Sequence, residues 1–316
     1  MSDKKIITVF GATGAQGGGL VRAILADTGG NFSVRAVTRD PNSDKAKALA
    51  QHGAEVVAAD LDNIESIKNV LKGAYGAFLV TNFWEHFSAE KEYQQVSDFA
   101  DMAKAEGVAH VVWSTLEDTR NWVPLDNDSM PTLQGKYKVP HFDGKGAADQ
   151  LFTEKGVPTT FYRTSFYWDN FIYFGMGPKV GEDGKYHIYF PMDDKKLPGM
   201  AAEDIGKCAY GLFKKGKEVI GKTIAVTGEH LTGDEMASKF SKSLGKDVVY
   251  TNVTLDAYRS FGFPGADDLG NMFQFKRDFN EDFCKIRDVE YSKELNPELQ
   301  SFDQWLASNG ERIPLD

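Results

Sequence analysis

Only two cysteines, Cys208 and Cys284, occur in the chain, and they form no C-x-x-C pair. A disulfide framework and a thiolate metal site are thereby without support, and a reducing compartment is expected. The six histidines include no H-E-x-x-H or comparable cluster, and no G-x-S-x-G occurs, so metal-dependent and serine-hydrolase chemistry are set aside. Basic residues are outnumbered, 36 against 46 acidic, for a formal charge of -10. That field repels a polyphosphate backbone, and direct nucleic-acid binding is not expected. No apolar run approaches the roughly 18 residues a spanning helix needs, and Ile6 to Phe10 is too short for a signal-peptide core. The expectation is a soluble cytoplasmic protein, with a nuclear pool left open and no membrane partner.

What the chain does have is ordinary globular composition, 41% apolar and 26% charged over 316 residues, enough for a nucleotide-binding domain with a smaller satellite. Short apolar runs at Ile6–Phe10, Ser33–Thr38, Glu55–Ala58, Gly76–Thr81, His110–Ser114 and Thr159–Arg163 alternate with amphipathic segments at 18–27, 44–52, 64–72, 90–106 and 145–155. That rhythm predicts an α/β fold, a Rossmann-type doubly wound parallel sheet. The expected division is residues 1–165 for this domain and 166–316 for a smaller C-terminal α/β region, with a later strand near 222–227 rejoining the sheet. Asn121 to Pro140, with three prolines, reads as an active-site loop.

The first strand runs into Gly11-Ala12-Thr13-Gly14-Ala15-Gln16-Gly17 and then a helical pattern. In that context the glycines permit a tight turn, close backbone approach to a pyrophosphate and close packing of helix on strand, with the helix dipole facing the anion. Gly18 and Gly19 extend the run, which implies that something packs tightly there. Readers of NAD carry an acid at the end of the second strand, whereas this strand ends in Thr38-Arg39. A guanidinium pairs with a 2'-phosphate, so Arg39 argues for NADP(H), with NAD(H) bound more weakly; Asp40 beside it works in the opposite sense. Asp60 is placed either to meet an adenine edge or to cap the helix near Ile64.

Four segments together, GATGAQG at 11–17, Val80-Thr81-Asn82-Phe83-Trp84-Glu85, His141-Phe142-Asp143-Gly144-Lys145-Gly146 and Phe263-Pro264-Gly265-Ala266-Asp267, resemble the NmrA-like proteins. These are atypical short-chain dehydrogenase/reductases, and the resemblance, from Lys4 to about Leu306, follows most closely the human redox sensor of that family. It implies NADP(H) contacts at Gly11 to Gly17, Arg39, Asp60, Leu61, Thr81, Asn82, Phe83, Lys145, Tyr167, Trp168, Asp169 and Asn170. It also implies that a lysine which contacts cofactor in that human sensor is replaced here by Gln94.

Catalytic short-chain reductases use Tyr-x-x-x-Lys, the tyrosine donating a proton and the lysine holding the ribose. Here the spacing survives as His141-x-x-x-Lys145, two positions on one helical face. Ser114 or Thr115 stands where the reductases orient a substrate carbonyl, or else satisfies strand-end amides. With histidine in the tyrosine's place, the resemblance implies a redox-sensing regulator with weak or no dehydrogenase activity. Such a regulator modulates a protein partner, for example a transcription factor or signalling enzyme, and homodimerisation is compatible with it. The alternative is an NADPH-dependent reductase of a quinone, imine or enone.

Overall fold

The first half of the chain alternates strand and helix: β1 (Lys5–Val9), α1 (Ala15–Ala26), β2 (Phe32–Thr38), α2 (Asp44–Gln51), β3 (Glu55–Ala58), α3 (Ile64–Leu71), β4 (Gly76–Leu79), α4 (Ala89–Ala105), β5 (His110–Thr115), α5 (Pro140–Glu154) and β6 (Thr159–Arg163). This is a computed structural model, and it describes residues 4–315. The strands pair in parallel in the order β3-β2-β1-β4-β5-β6, and Thr223–Ala225 rejoins the sheet beside β6. The order reverses between β1 and β4, which opens a crevice at the carboxyl ends of these strands.

Both faces are covered, so β4 and β5 are buried along their whole length. On one face Leu20, Val21 and Ile24 of α1 share a core with Ile205, Cys208 and Leu212 of the helix Ala202–Lys215. On the other, Ile67 of α3, Phe99 of α4 and Phe152 of α5 do the same. Gly19 explains its place in a helix, where glycine costs about 1 kcal/mol against Ala. A Cβ there would lie 2.6 Å from the Glu203 carbonyl, and one on Gly206 would overlap the backbone of Gly19 and Leu20.

Helix α5 starts at Pro140, five residues before the expected position. Proline at the first helical position has the right φ and lacks only an N–H that would have no partner. A distant carboxylate completes the cap: Asp268 accepts the His141 N–H at 3.2 Å. Helix α3 is capped by Asn63, whose side chain accepts from Ser66 N–H, rather than by Asp60.

Beyond β6 the chain builds two small sheets. Phe166–Tyr167, Leu197–Met200 and Glu229–Leu231 form one; Lys179–Val180, Tyr186–Phe190 and Val248–Asn252 form the other. Phe171, Phe240 and Phe302 centre this region's core, with ring centroids 4.9 and 5.2 Å apart in edge-to-face pairs. The 121–140 segment is not an active-site loop: none of these residues lines the cleft described below. It is instead tied down by its own lysine, Lys138 Nζ donating to Asn127 O and Met130 O at 2.7 and 2.8 Å. Asn271 and Gln274 of the helix Ala266–Asp278 donate to Pro131 O and Ser129 O. Among the described residues no helix is long and apolar enough to cross a membrane, and no group of His, Cys, Asp or Glu is placed to hold a metal.

Candidate functional site

A cleft of about 1240 Å³ runs across the carboxyl ends of the strands. Gly11, Thr13, Gly14, Ala15, Gln16 and Gly17 form its floor. Gly11 adopts φ 65°, a left-handed conformation open to glycine at little cost. Gly14 is the N-cap of α1 and offers no side chain, so the first-turn N–H groups of α1 are without an intrahelical acceptor or cap. No acidic residue occupies that turn. A Cβ on Gly17 would overlap the Gly11 carbonyl. The loop is thus a cradle with exposed positive dipole ends and no side chain filling it, which fits a pyrophosphate.

The Gln16 side chain is used inside the protein. Its Nε2 donates to the Tyr167 hydroxyl at 2.6 Å, and its Oε1 accepts from Ser114 Oγ at 2.7 Å. Ser114 therefore reaches the cleft with its proton already directed to Gln16, while Thr115 bonds Asp149 at 2.6 Å. Burial raises the Tyr167 pKa, so this phenol keeps its proton.

At one end of the cleft Arg39 follows β2. Its guanidinium spans to the Glu85 carboxylate in the short helical turn Phe83–Glu85, and both side chains stay largely exposed. The pairing raises the Arg39 pKa and lowers that of Glu85. Asp60, Leu61 and Asp62 line the same end, where Lys91 Nζ meets Asp62 at 2.7 Å. Asp40 lines this end as well, with one carboxylate oxygen accepting from Asn42 N–H at 2.9 Å. Gln94 bonds Asp98 away from the cleft, while Lys91 lines it.

His141 and Lys145 both line the opposite half, as their spacing on α5 requires. His141 is buried, with Nδ1 2.6 Å from Asp268 Oδ1 and its ring 4.8 Å from that of Trp84. With the carboxylate as acceptor, Nδ1 carries a proton and the ring is held by its edge. Lys145 Nζ donates to Thr81 O at 3.2 Å, to Thr81 Oγ1, and to Glu92 Oε1 at 2.8 Å. All three ammonium protons are engaged, and the buried Glu92 carboxylate neutralises the charge. Around these polar groups stand Phe83, Leu116, Phe142, Phe174, Met176, Tyr258, Leu269 and Met272, a wall suited to an apolar ring.

Thr81, Asn82, Phe83, Tyr167 and Asn170 also line the cleft. Two expected contacts, Trp168 and Asp169, do not. Trp168 is buried in the C-terminal core against Phe302, 5.1 Å between centroids. The Asp169 carboxylate accepts from Ala202 N–H at 2.8 Å and so caps the helix Ala202–Lys215 from outside. Sequence reasoning missed Glu85, Glu92, Asp268 and Lys276. Only Lys276 left a local signal: with Leu269 and Met272 it falls on one apolar helical stripe, where a lysine is out of place.

A model of the NmrA-like family matches residues 3–306. The NmrA-like family domain-containing oxidoreductase FrzB of Cladobotryum sp is 29% identical over 85% of this chain and 83% of its own length. The corresponding oxidoreductase malD of Malbranchea aurantiaca is 32% identical over 79% and 76%. Among solved structures, NmrA, a negative transcriptional regulator, superposes with a TM-score of 0.79 at 24% identity, covering 96% of this chain and 95% of that one. The Citrobacter sp. triphenylmethane reductase complexed with NADP(H) gives 0.71 at 18% identity over 96% and 99%. The family match spans the glycine loop, both ends of the cleft and the helix that carries Asp268: this chain belongs to the NmrA-like family.

Proposed function

We propose that this protein is an NADP(H)-dependent oxidoreductase that reduces an apolar conjugated small molecule, a quinone, imine or enone. The observation that carries the reading is the His141–Asp268 pair at the apolar end of a dinucleotide cleft. A histidine fixed through Nδ1 by a carboxylate is oriented to give or take a proton at Nε2, so the loss of tyrosine is not by itself the loss of an acid. Residues 14–17 would hold the pyrophosphate of a bound cofactor, and Arg39, now paired with Glu85, would be the group to meet a 2'-phosphate. Related proteins named as oxidoreductases, and structural neighbours solved with NADP or NAD, support this reading. The test is NADPH oxidation followed at the nicotinamide band against a panel of quinones, enones and imines. Turnover should fall roughly 10²- to 10⁴-fold in His141→Ala. A flat response of the wild-type protein across the panel removes the reading.

A second reading, the redox-sensing regulator, is favoured by Lys145, whose three donors and charge are already engaged by Thr81 and Glu92. A lysine so neutralised gives little help to a proton donor, as expected of a protein that binds NADP(H) and acts through a transcription factor or signalling enzyme. Hydrogen exchange checks it: NADPH and NADP⁺ should protect different surface segments. Identical exchange in the two complexes refutes it.

A further inference from the structure

Three lysines are buried among the described residues, and they differ in what holds them. Lys138 donates to two carbonyls and the Thr132 hydroxyl. Lys145 is saturated by Thr81 and Glu92. Lys276, only 3% exposed, has Met272 Sδ at 3.3 Å and no oxygen acceptor among the described residues. Its Nζ lies 5.5, 5.6 and 5.9 Å from the ring centroids of Phe283, Phe142 and Phe273. A thioether and three rings stabilise an ammonium far less than one carboxylate does.

The opposite charge that acts on it, Glu117, is already spent. Glu117 is held by Arg287 through two bonds, 2.7 and 3.1 Å, and by Arg163 at 3.9 Å. Burial is the first cause that pulls the Lys276 pKa down, to about 7; Arg287 adds to the fall and Glu117 opposes it. Lys276 nevertheless lines the cleft, in the half that holds His141 and Phe142. A purely structural buried lysine would carry its acceptors with it, as Lys138 does. For the Lys276 ammonium the surrounding chain supplies no oxygen acceptor, the open cleft is where one can arrive, and the aromatic wall there favours a flat apolar body.

We propose that Lys276 is a substrate-recognition group, which receives as its ammonium the carboxylate or other oxyanion of a flat apolar acid. The proposal rests on the reading of the apolar half of the cleft as the substrate site. Binding at pH 8 takes one proton from solvent: the neutral amine becomes an ammonium as the anion arrives, and no other bond changes. The ion pair then sits in a low-dielectric pocket, where a charge-assisted hydrogen bond is worth roughly tenfold or more in affinity.

The test is calorimetry on the NADPH-saturated full chain with 2-naphthoate and its neutral counterpart 2-naphthamide as probes. Naphthoate should bind about tenfold tighter than naphthamide, and Lys276→Met should abolish the difference; NADPH affinity of the variant reports that it is folded. In wild-type protein at pH 8, the naphthoate heat should vary with the ionisation enthalpy of the buffer, showing proton uptake, while the naphthamide heat does not. This second measurement stands even if Lys276→Met fails to fold. Naphthoate binding no tighter than naphthamide, binding of neither, a preference that survives in Lys276→Met, or no proton uptake overturns the proposal. Naphthamide binding without the preference overturns it while leaving the substrate-site reading intact. Binding of neither probe, together with a flat reductase panel, overturns both.

Discussion

Arg39 is the residue from which NADP preference is argued, and in the structure it is already engaged by Glu85. A 2'-phosphate therefore competes with a carboxylate of the same chain. Charge-assisted hydrogen bonds to the phosphate are worth about 1.5–3 kcal/mol, while an exposed ion pair such as Arg39–Glu85 is worth about 0.2–1 kcal/mol. The difference predicts NADP(H) over NAD(H) by roughly twofold to a hundredfold. Glu85→Gln removes the competitor and should tighten NADP(H) by roughly 1.5- to 5-fold, leaving NAD(H), which brings no 2'-phosphate, unchanged. Arg39→Met should bring the two cofactors to equal affinity. Titration calorimetry of both cofactors against both variants measures this, and added salt should narrow the preference because the groups are exposed. A Glu85→Gln protein with an unaltered or smaller NADP/NAD ratio would refute the competition. Equal affinity in the wild type would refute the assignment of Arg39 itself.

Gly17→Ala places a methyl against the Gly11 carbonyl. Thermal stabilisation by NADPH should be lost while far-ultraviolet dichroism stays native; retained stabilisation would show that the loop is not the phosphate cradle. Gly206→Ala presses on the backbone of Gly19 and Leu20, and should lower stability in urea by about 1–3 kcal/mol, the cost of overpacking a close helix crossing. Burial raises the Asp149 carboxyl to about 7 against the bonds it accepts from Thr115 and Trp113. Because the folded-state pKa lies above the unfolded one, the stabilisation this group gives is complete below about pH 4 and is lost as pH rises through about 7. Asp149→Asn should flatten that slope in denaturant titrations run across this window, and an unchanged slope would contradict it.

Local chemistry wrote much of the architecture into the chain. Parallel strands covered on both faces have to be continuous apolar runs, and so β1 to β6 could be located to within a residue or two at each end. The glycine loop was equally visible, because a turn, a close approach and a helix start each demand glycine at a fixed spacing. The i, i+4 spacing of His141 and Lys145 implied a shared helical face, although the helix itself begins at Pro140 rather than at Lys145.

Other features depended on partners far along the chain. Asp268 lies 127 residues from His141, so nothing near the histidine announces the carboxylate that orients it. Trp168 and Asp169 adjoin Tyr167 in sequence, yet one is drawn into the C-terminal core and the other to the start of a helix. Glu85 and Arg39 come from turns after different strands and meet only because β1 lies between β2 and β4. Lys276 stands out in the sequence only as a lysine on an apolar stripe; that its ammonium faces rings rather than acceptors follows once its helix is packed against Phe142 and Phe283. The sequence by itself determined the sheet, the cradle and the face of α5, since these follow from backbone geometry and local periodicity. Tertiary structure alone decided which charges are paired, and hence the protonation and reach of the groups in the cleft, because desolvation and ion pairing depend on neighbours brought together by folding.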